Sequence, residues 1–180
     1  QEAELSARKA IELNPKRSEA YLNLGTILVN LDKLRDAVKS IRKAIELEPQ
    51  NPGAYLTLGG ILSKLREYQQ AELITRKAIE LKAHNGKAYS NLAIILCNLG
   101  KFQEAELSAR KAIELEPNFI DSYRNLGEIM MEQGKSQEAE SLFLKAIELN
   151  PQLGISYYSL SIFYTKLKLY DKAHVAINQA

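Results

Sequence analysis

The chain of 180 residues has one cysteine, two histidines and five prolines, and each scarcity excludes something. A single thiol, Cys97, cannot close an internal disulfide, so a reducing, cytoplasmic setting is expected. His84 and His174 lie far apart, with no Cys, Asp or Glu at metal-ligand spacing, and no histidine stands near Cys97 to activate it. There is no phosphate-cradling glycine loop, no G-x-S-x-G and no H-E-x-x-H, so the chain is read as non-enzymatic and without metal or cofactor. No apolar run approaches the ~18 to 20 residues that a membrane span needs, and no membrane partner is expected. The 24 basic and 22 acidic side chains nearly cancel, to a net charge of +2, which leaves little field for drawing in nucleic acid. An alternating run of β-branched residues is missing too, leaving all-α as the class that fits.

What the chain has is a period. The segment AIELEP at Ala44–Pro49 returns as AIELNP from Ala10, AIELKA from Ala78, AIELEP from Ala112 and AIELNP from Ala146, always 34 residues on. A fixed step of this size marks a repeat architecture, in which each unit buries its apolar face against the next. The units are residues 1–17 (the second helix of a truncated repeat), 18–51, 52–85, 86–119, 120–153 and 154–180, the last ending in an incomplete helix. Gln1–Pro15 matches Gln103–Pro117 at 14 of 15 positions, so the sequence starts in mid-repeat and reads as a fragment of a longer protein.

Within 18–51, Tyr21, Leu24, Ile27, Leu28 and Leu31 follow the i, i+3, i+4, i+7 spacing of an amphipathic helix. A second periodic run from Ala37 to Leu47 follows. Pro49 disfavours helical geometry in the residue before it, so this helix is predicted to stop near Glu48. Between the two helices, Gly100 and Gly134 hold a place where positive φ is cheapest for glycine, while Asp32, Arg66 and Lys168 hold it elsewhere.

Tyr21, Leu24, Gly25 and Leu28, then Ala37, Ile41, Ala44 and Pro49, resemble the tetratricopeptide repeat (TPR) pattern, and the resemblance spans essentially the whole chain. Tyrosine stands for tryptophan in every copy, Thr75 and Ala109 for phenylalanine, and Ala83 for proline, which predicts a looser junction at Lys82–Gly86. The resemblance implies a right-handed superhelical solenoid of stacked antiparallel helix pairs. Its implied function is a scaffold that binds a peptide segment or partner helix in its concave groove. The alternative is the substrate-selecting arm of a larger enzyme, such as a glycosyltransferase, whose catalytic domain lies outside this chain.

Positions that do not change between repeats serve the scaffold, and those that vary are free for a ligand. Ala37, Ala71, Ala105 and Ala139, with Gly25, Gly59, Ala93 and Gly127, are small enough to let helix axes approach. Around each first helix, at about 100° per residue, the variable positions fall on the opposite arc, which the resemblance places on the inner surface. From that arc the groove candidates are Asn23, Asn30, Lys64, Lys87, Asn91, Asn98, Arg124, Asn125, Glu128 and Tyr158. Asn23, Asn91 and Asn125 share one repeat position and resemble the asparagine ladder of O-linked N-acetylglucosamine transferases, although Thr57 and Ser159 interrupt it. Their amides either hold an extended peptide backbone or bond neighbouring helices. The carboxylate-clamp pattern of some chaperone cofactors requires Lys and Asn where Leu22 and Thr26 stand, and is absent.

Two features suggest single-stranded nucleic acid, and both have a simpler reading. The five tyrosines Tyr21, Tyr55, Tyr89, Tyr123 and Tyr157 share a face with leucines and read as core, and Arg42, Arg76 and Arg110 each have a Glu four residues on that is predicted to pair with them. Both terminal helices lack a neighbour on one side, so end-to-end self-association is expected.

Overall fold

The computed structural model describes residues 2–180, and all of the regular structure among them is helical. The chain divides into two compact units, residues 1–84 and 85–180. The first contains α1 (Glu2–Leu13), α2 (Ser18–Asn30), α3 (Leu34–Leu47), α4 (Pro52–Lys64) and α5 (Tyr68–Leu81). Here α2 and α3 form one hairpin and α4 and α5 another, with α1 against α2, α3 against α4, and α2 touching α4. The second unit contains α6 (Gly86–Asn98), α7 (Phe102–Leu115), α8 (Ile120–Glu132), α9 (Ser136–Leu149), α10 (Gly154–Lys166) and α11 (Tyr170–Ile177). Its hairpins are α6/α7, α8/α9 and α10/α11, with α7 on α8, α9 on α10, and the first helices α6, α8 and α10 meeting in sequence.

Every hairpin turns on one left-handed residue. Gly100 and Gly134 have φ of 73° and 74°, and the non-glycine residues Asp32, Arg66 and Lys168 are held at 58°, 61° and 60°. The turn closes the same way throughout: after α2, the Lys33 amide donates to Leu28 O at 2.8 Å and the Asp32 amide to Val29 O at 3.0 Å. That satisfies carbonyls which the helix end would leave open, and it outweighs the steric cost of placing a Cβ at positive φ. Four junctions between consecutive repeats close with an amide bonded to the carbonyl three residues back, as Asn51 does to Glu48 O (3.3 Å) and Phe119 to Glu116 O (3.0 Å). The junction Lys82–Asn85, where Ala83 replaces proline, has no such bond among the described residues. There Asn85 caps α6 through its side chain, accepting from the Ala88 amide at 3.2 Å.

The core of each hairpin is a strip of small residues. Ala37, Ala71, Ala105 and Ala139 are fully buried, as are Ala44, Ala78, Ala112 and Ala146. Opposite this strip, each first helix is matched in size to its own second helix. A Cβ at Gly25 would strike Ile41, at Gly59 it would strike the hydroxyl of Thr75, and at Gly127 it would stand 2.9 Å from the Phe143 ring. In the α6/α7 hairpin the same two positions are Ala93 and Ala109, both buried, so a methyl is admitted where its partner is only a methyl. The cost of such close packing shows in polar atoms: the hydroxyls of Thr75, Ser122 and Ser156 are buried without a hydrogen-bond partner among the described residues.

The repeat tyrosines depart from the core reading, since all five are half-buried. The Tyr21 hydroxyl donates to Pro15 O (3.2 Å), just past the end of the preceding helix, as that of Tyr123 does to Pro117 O (2.9 Å). A phenol needs a polar partner when its ring is covered, and the carbonyl at the chain turn supplies one. The charged face is paired as expected but with other partners. Arg76 and Arg110 reach back four residues to Glu72 and Glu106, Arg42 donates to Gln70, and the forward carboxylates pair instead with Lys43, Lys77 and Lys111. Helical side chains lean toward the N-terminus, which favours the backward reach.

Candidate functional site

In residues 85–180 the variable arcs of α6, α8 and α10 lie side by side and enclose a half-open cavity of about 450 Å³. Three residues contribute from each helix: Ile94, Cys97 and Asn98 from α6, Glu128, Met131 and Glu132 from α8, and Ser159, Ile162 and Lys166 from α10. Spacings of three and four residues put each set on one stripe. Phe102 at the start of α7 and Phe143 of α9 complete the lining.

The three helices are tied together beside this cavity by polar bonds between consecutive repeats. Arg124 donates from Nε to Ser159 Oγ (3.2 Å) and from Nη1 to Asp121 Oδ1 (2.6 Å). Asn125 donates from Nδ2 to both Ser90 Oγ (2.9 Å) and Ser90 O (3.2 Å). Lys166 Nζ donates to Glu132 Oε1 at 2.7 Å, joining α10 to α8. Of the two uses open to the asparagines, Asn125 thus takes the interhelical one.

Glu128 differs from its neighbours. It is half-buried, and no hydrogen bond or ion pair satisfies its carboxylate among the described residues. Burial raises its pKa above the ordinary 4.5; Arg124 and Lys166 act in the opposite direction, and Glu132 and Asp121 add to the rise. Burial, with Glu132 and Glu128 nearby, pushes the Cys97 thiol up to about 11, so Cys97 is protonated at neutral pH and a poor nucleophile.

Of the groove candidates, Asn98 and Glu128 line the cavity, with Arg124 and Asn125 in the network beside it. Asn98 also donates to Ile94 O within its own helix (2.8 Å). Half-buried Asn91 and exposed Tyr158 do not line it, and Lys87 sits over the Phe119 ring, 5.8 Å from its centroid. Asn23, Asn30 and Lys64 belong to the other unit and are exposed, Asn23 at a shallow cleft between α1 and α2. Sequence reasoning placed Met131, Glu132, Ile162 and Lys166 on the variable arc without singling them out. It missed Phe102 and Phe143, which come from second helices; the phenylalanine place of the repeat pattern was the available signal for Phe143. Among the described residues no group of His, Cys, Asp and Glu is arranged to hold a metal, and no helix is long and apolar enough to cross a membrane.

Family models described as tetratricopeptide repeat match residues 18–51, 86–119 and 120–153, and a further one matches 41–72 and 142–175. The chain belongs to the tetratricopeptide repeat family. Its stacked helix pairs match solved TPR structures. YrrB, described as a TPR protein with an unusual peptide-binding site, is 25% identical over 96% of this chain and 89% of its own, with a TM-score of 0.67. A thermophilic TPR protein of Thermus thermophilus is 20% identical, covering 91% of this chain and 92% of its own at a TM-score of 0.83. A chain of the APC/C hetero-tetramer Cut9-Hcn1 is 22% identical over 97% of this chain but 35% of its own, with a TM-score of 0.87. No curated protein sequence matches at a significant level. TPR arrays are protein-interaction folds, and that general role holds for this one.

Proposed function

We propose that this TPR chain is a non-catalytic interaction scaffold that seats a peptide segment or partner helix in the groove of α6, α8 and α10. The observation that carries this reading is the division of labour along each first helix. Unvarying residues such as Leu92, Leu126 and Leu160 are buried in the hairpins, whereas the positions that change from repeat to repeat converge on one cavity. Its lining mixes apolar side chains with a polar rim, which suits a segment anchored by one or two side chains. The peptide-binding site described for YrrB lends support from a chain of similar fold.

The test is binding of an array of twelve-residue peptides to the wild type and to variants. Met131→Arg and Ile162→Arg are expected to abolish binding, while Leu107→Arg, on the exposed face of α7, leaves it unchanged. Binding lost equally in all three, or in none, excludes the groove. Separately, Ala3 and Ala10 of α1 and Ile177 of α11, exposed where the matching residues Ala37, Ala44 and Phe143 are buried, are the faces that end-to-end association would use. Sedimentation at millimolar concentration reads this directly, and a strictly monomeric chain rules it out.

A further inference from the structure

If the groove of α6, α8 and α10 is the binding site, its charges decide what kind of segment enters it. Every charged group around the Glu128 carboxylate is already committed except Glu128 itself. Arg124 is bonded to Asp121 and Ser159, and Lys166 is bonded to Glu132. Within this set the carboxylates Asp121, Glu128 and Glu132 outnumber the cations Arg124 and Lys166. Glu128 therefore shares the cavity lining with Ile94, Met131 and Ile162, partly desolvated and with no hydrogen bond or close ion pair among the described residues; Arg124 and Lys166 act on it only at longer range, so its ionised form is disfavoured until a donor arrives.

We infer that the groove selects a partner segment carrying a lysine or arginine beside an apolar side chain, the cation set against Glu128 and the apolar group among Ile94, Met131 and Ile162. A cation supplies the missing counter-charge and a charge-assisted hydrogen bond. An acidic segment brings a further negative charge to a site already holding an unpaired one, so the same residue works against the wrong partner. The apolar wall contributes affinity for either kind of segment, and Glu128 contributes the discrimination.

The experiment uses twelve-residue peptides with one leucine or isoleucine flanked by Lys, by Gln or by Glu, with affinities read by fluorescence anisotropy on the full chain. A hydrogen bond to a charged group separates the Lys from the Gln series by roughly 10- to 100-fold, with the Glu series weakest. Glu128→Gln keeps the shape of the site and removes the charge, so it is expected to collapse this spread while the circular dichroism spectrum is unchanged. Because a bound cation lowers the pKa of Glu128, Lys peptides are also expected to release protons in mildly acidic buffer. Calorimetry in buffers of different ionisation heat detects that release, and it disappears in Glu128→Gln. A Lys preference that persists in Glu128→Gln overturns the assignment. If Lys and Glu peptides bind alike and both are lost in Met131→Arg, the groove stands and this inference fails. Should no series bind the wild type, both fail together.

Discussion

The size match between first and second helices makes a quantitative prediction at Gly59 and Thr75. A methyl at Gly59 lands on the Thr75 hydroxyl, and the short, branched threonine has no flexible end to swing away. Overpacking of this kind costs about 1 to 3 kcal/mol, and the better helix propensity of alanine returns about 1. Gly59→Ala is thus expected to destabilise by about 0 to 2 kcal/mol once both effects are counted. Thr75→Ala gives up a buried methyl, worth about 0.8 kcal/mol, but also removes a buried hydroxyl without a partner, whose burden is about 1 to 3 kcal/mol, so it should be close to neutral or slightly stabilising. The double variant recreates the pair that the chain already uses at Ala93 and Ala109. It is expected to equal or exceed the wild type, giving a coupling of about 1 to 3 kcal/mol between the two sites. Urea denaturation followed by circular dichroism measures the cycle, and amide hydrogen exchange in α4 and α5 confirms that the change is local, since repeat arrays need not unfold in one step. Additivity within about 0.5 kcal/mol would refute the claim that these side chains compete for one space.

Two further outcomes follow from the same structure. Arg66 holds a left-handed φ of 61° where the equivalent turns use Gly100 and Gly134, so Arg66→Gly is expected to stabilise by about 0.5 to 1 kcal/mol, and a lower denaturation midpoint would contradict this. For Glu128 the folded pKa lies above the unfolded value of 4.5, so the folded state holds the proton more tightly and stability falls as pH rises from 4.5 through the folded pKa. Glu128→Gln is accordingly expected to raise the melting midpoint at pH 7 and to lose that advantage below pH ~4; an advantage that is the same at both pH values would show that the charge is not the cause.

The fold was legible because the same message repeats. One copy of AIELEP suggests little, but copies 34 residues apart fix the helix pairs, and Pro49 stops α3 at Leu47, one residue before Glu48. The place of the left-handed turn residue was readable from Gly100 and Gly134, although not that Asp32, Arg66 and Lys168 would adopt the same φ, because that depends on the hydrogen bonds closing the turn. Gly59 and Thr75 were each visible as departures or small residues, yet only the packed hairpin shows that one explains the other.

The site was legible as an arc and not as a set. Helical periodicity assigns Glu128, Met131 and Ile162 to the variable side, but which of them meet is decided by neighbours about 34 residues away. The bonds from Arg124 to Ser159 and from Asn125 to Ser90 cross that distance, as does the pair Lys166–Glu132. For the same reason the lack of a partner at Glu128 is invisible in the sequence, where Arg124 stands one helical turn away. The ion pairs of the outer face went astray over direction: a spacing of four is symmetric on paper, and side-chain lean breaks the symmetry.

The most direct test of the account is methyl NMR of the chain titrated with a Lys-flanked leucine peptide. The groove reading predicts saturable shifts at Ile94, Met131 and Ile162 with Leu73 and Leu107 unmoved. Shifts confined to Leu73 and Leu107, the exposed leucines of the second helices, would place binding elsewhere and contradict it.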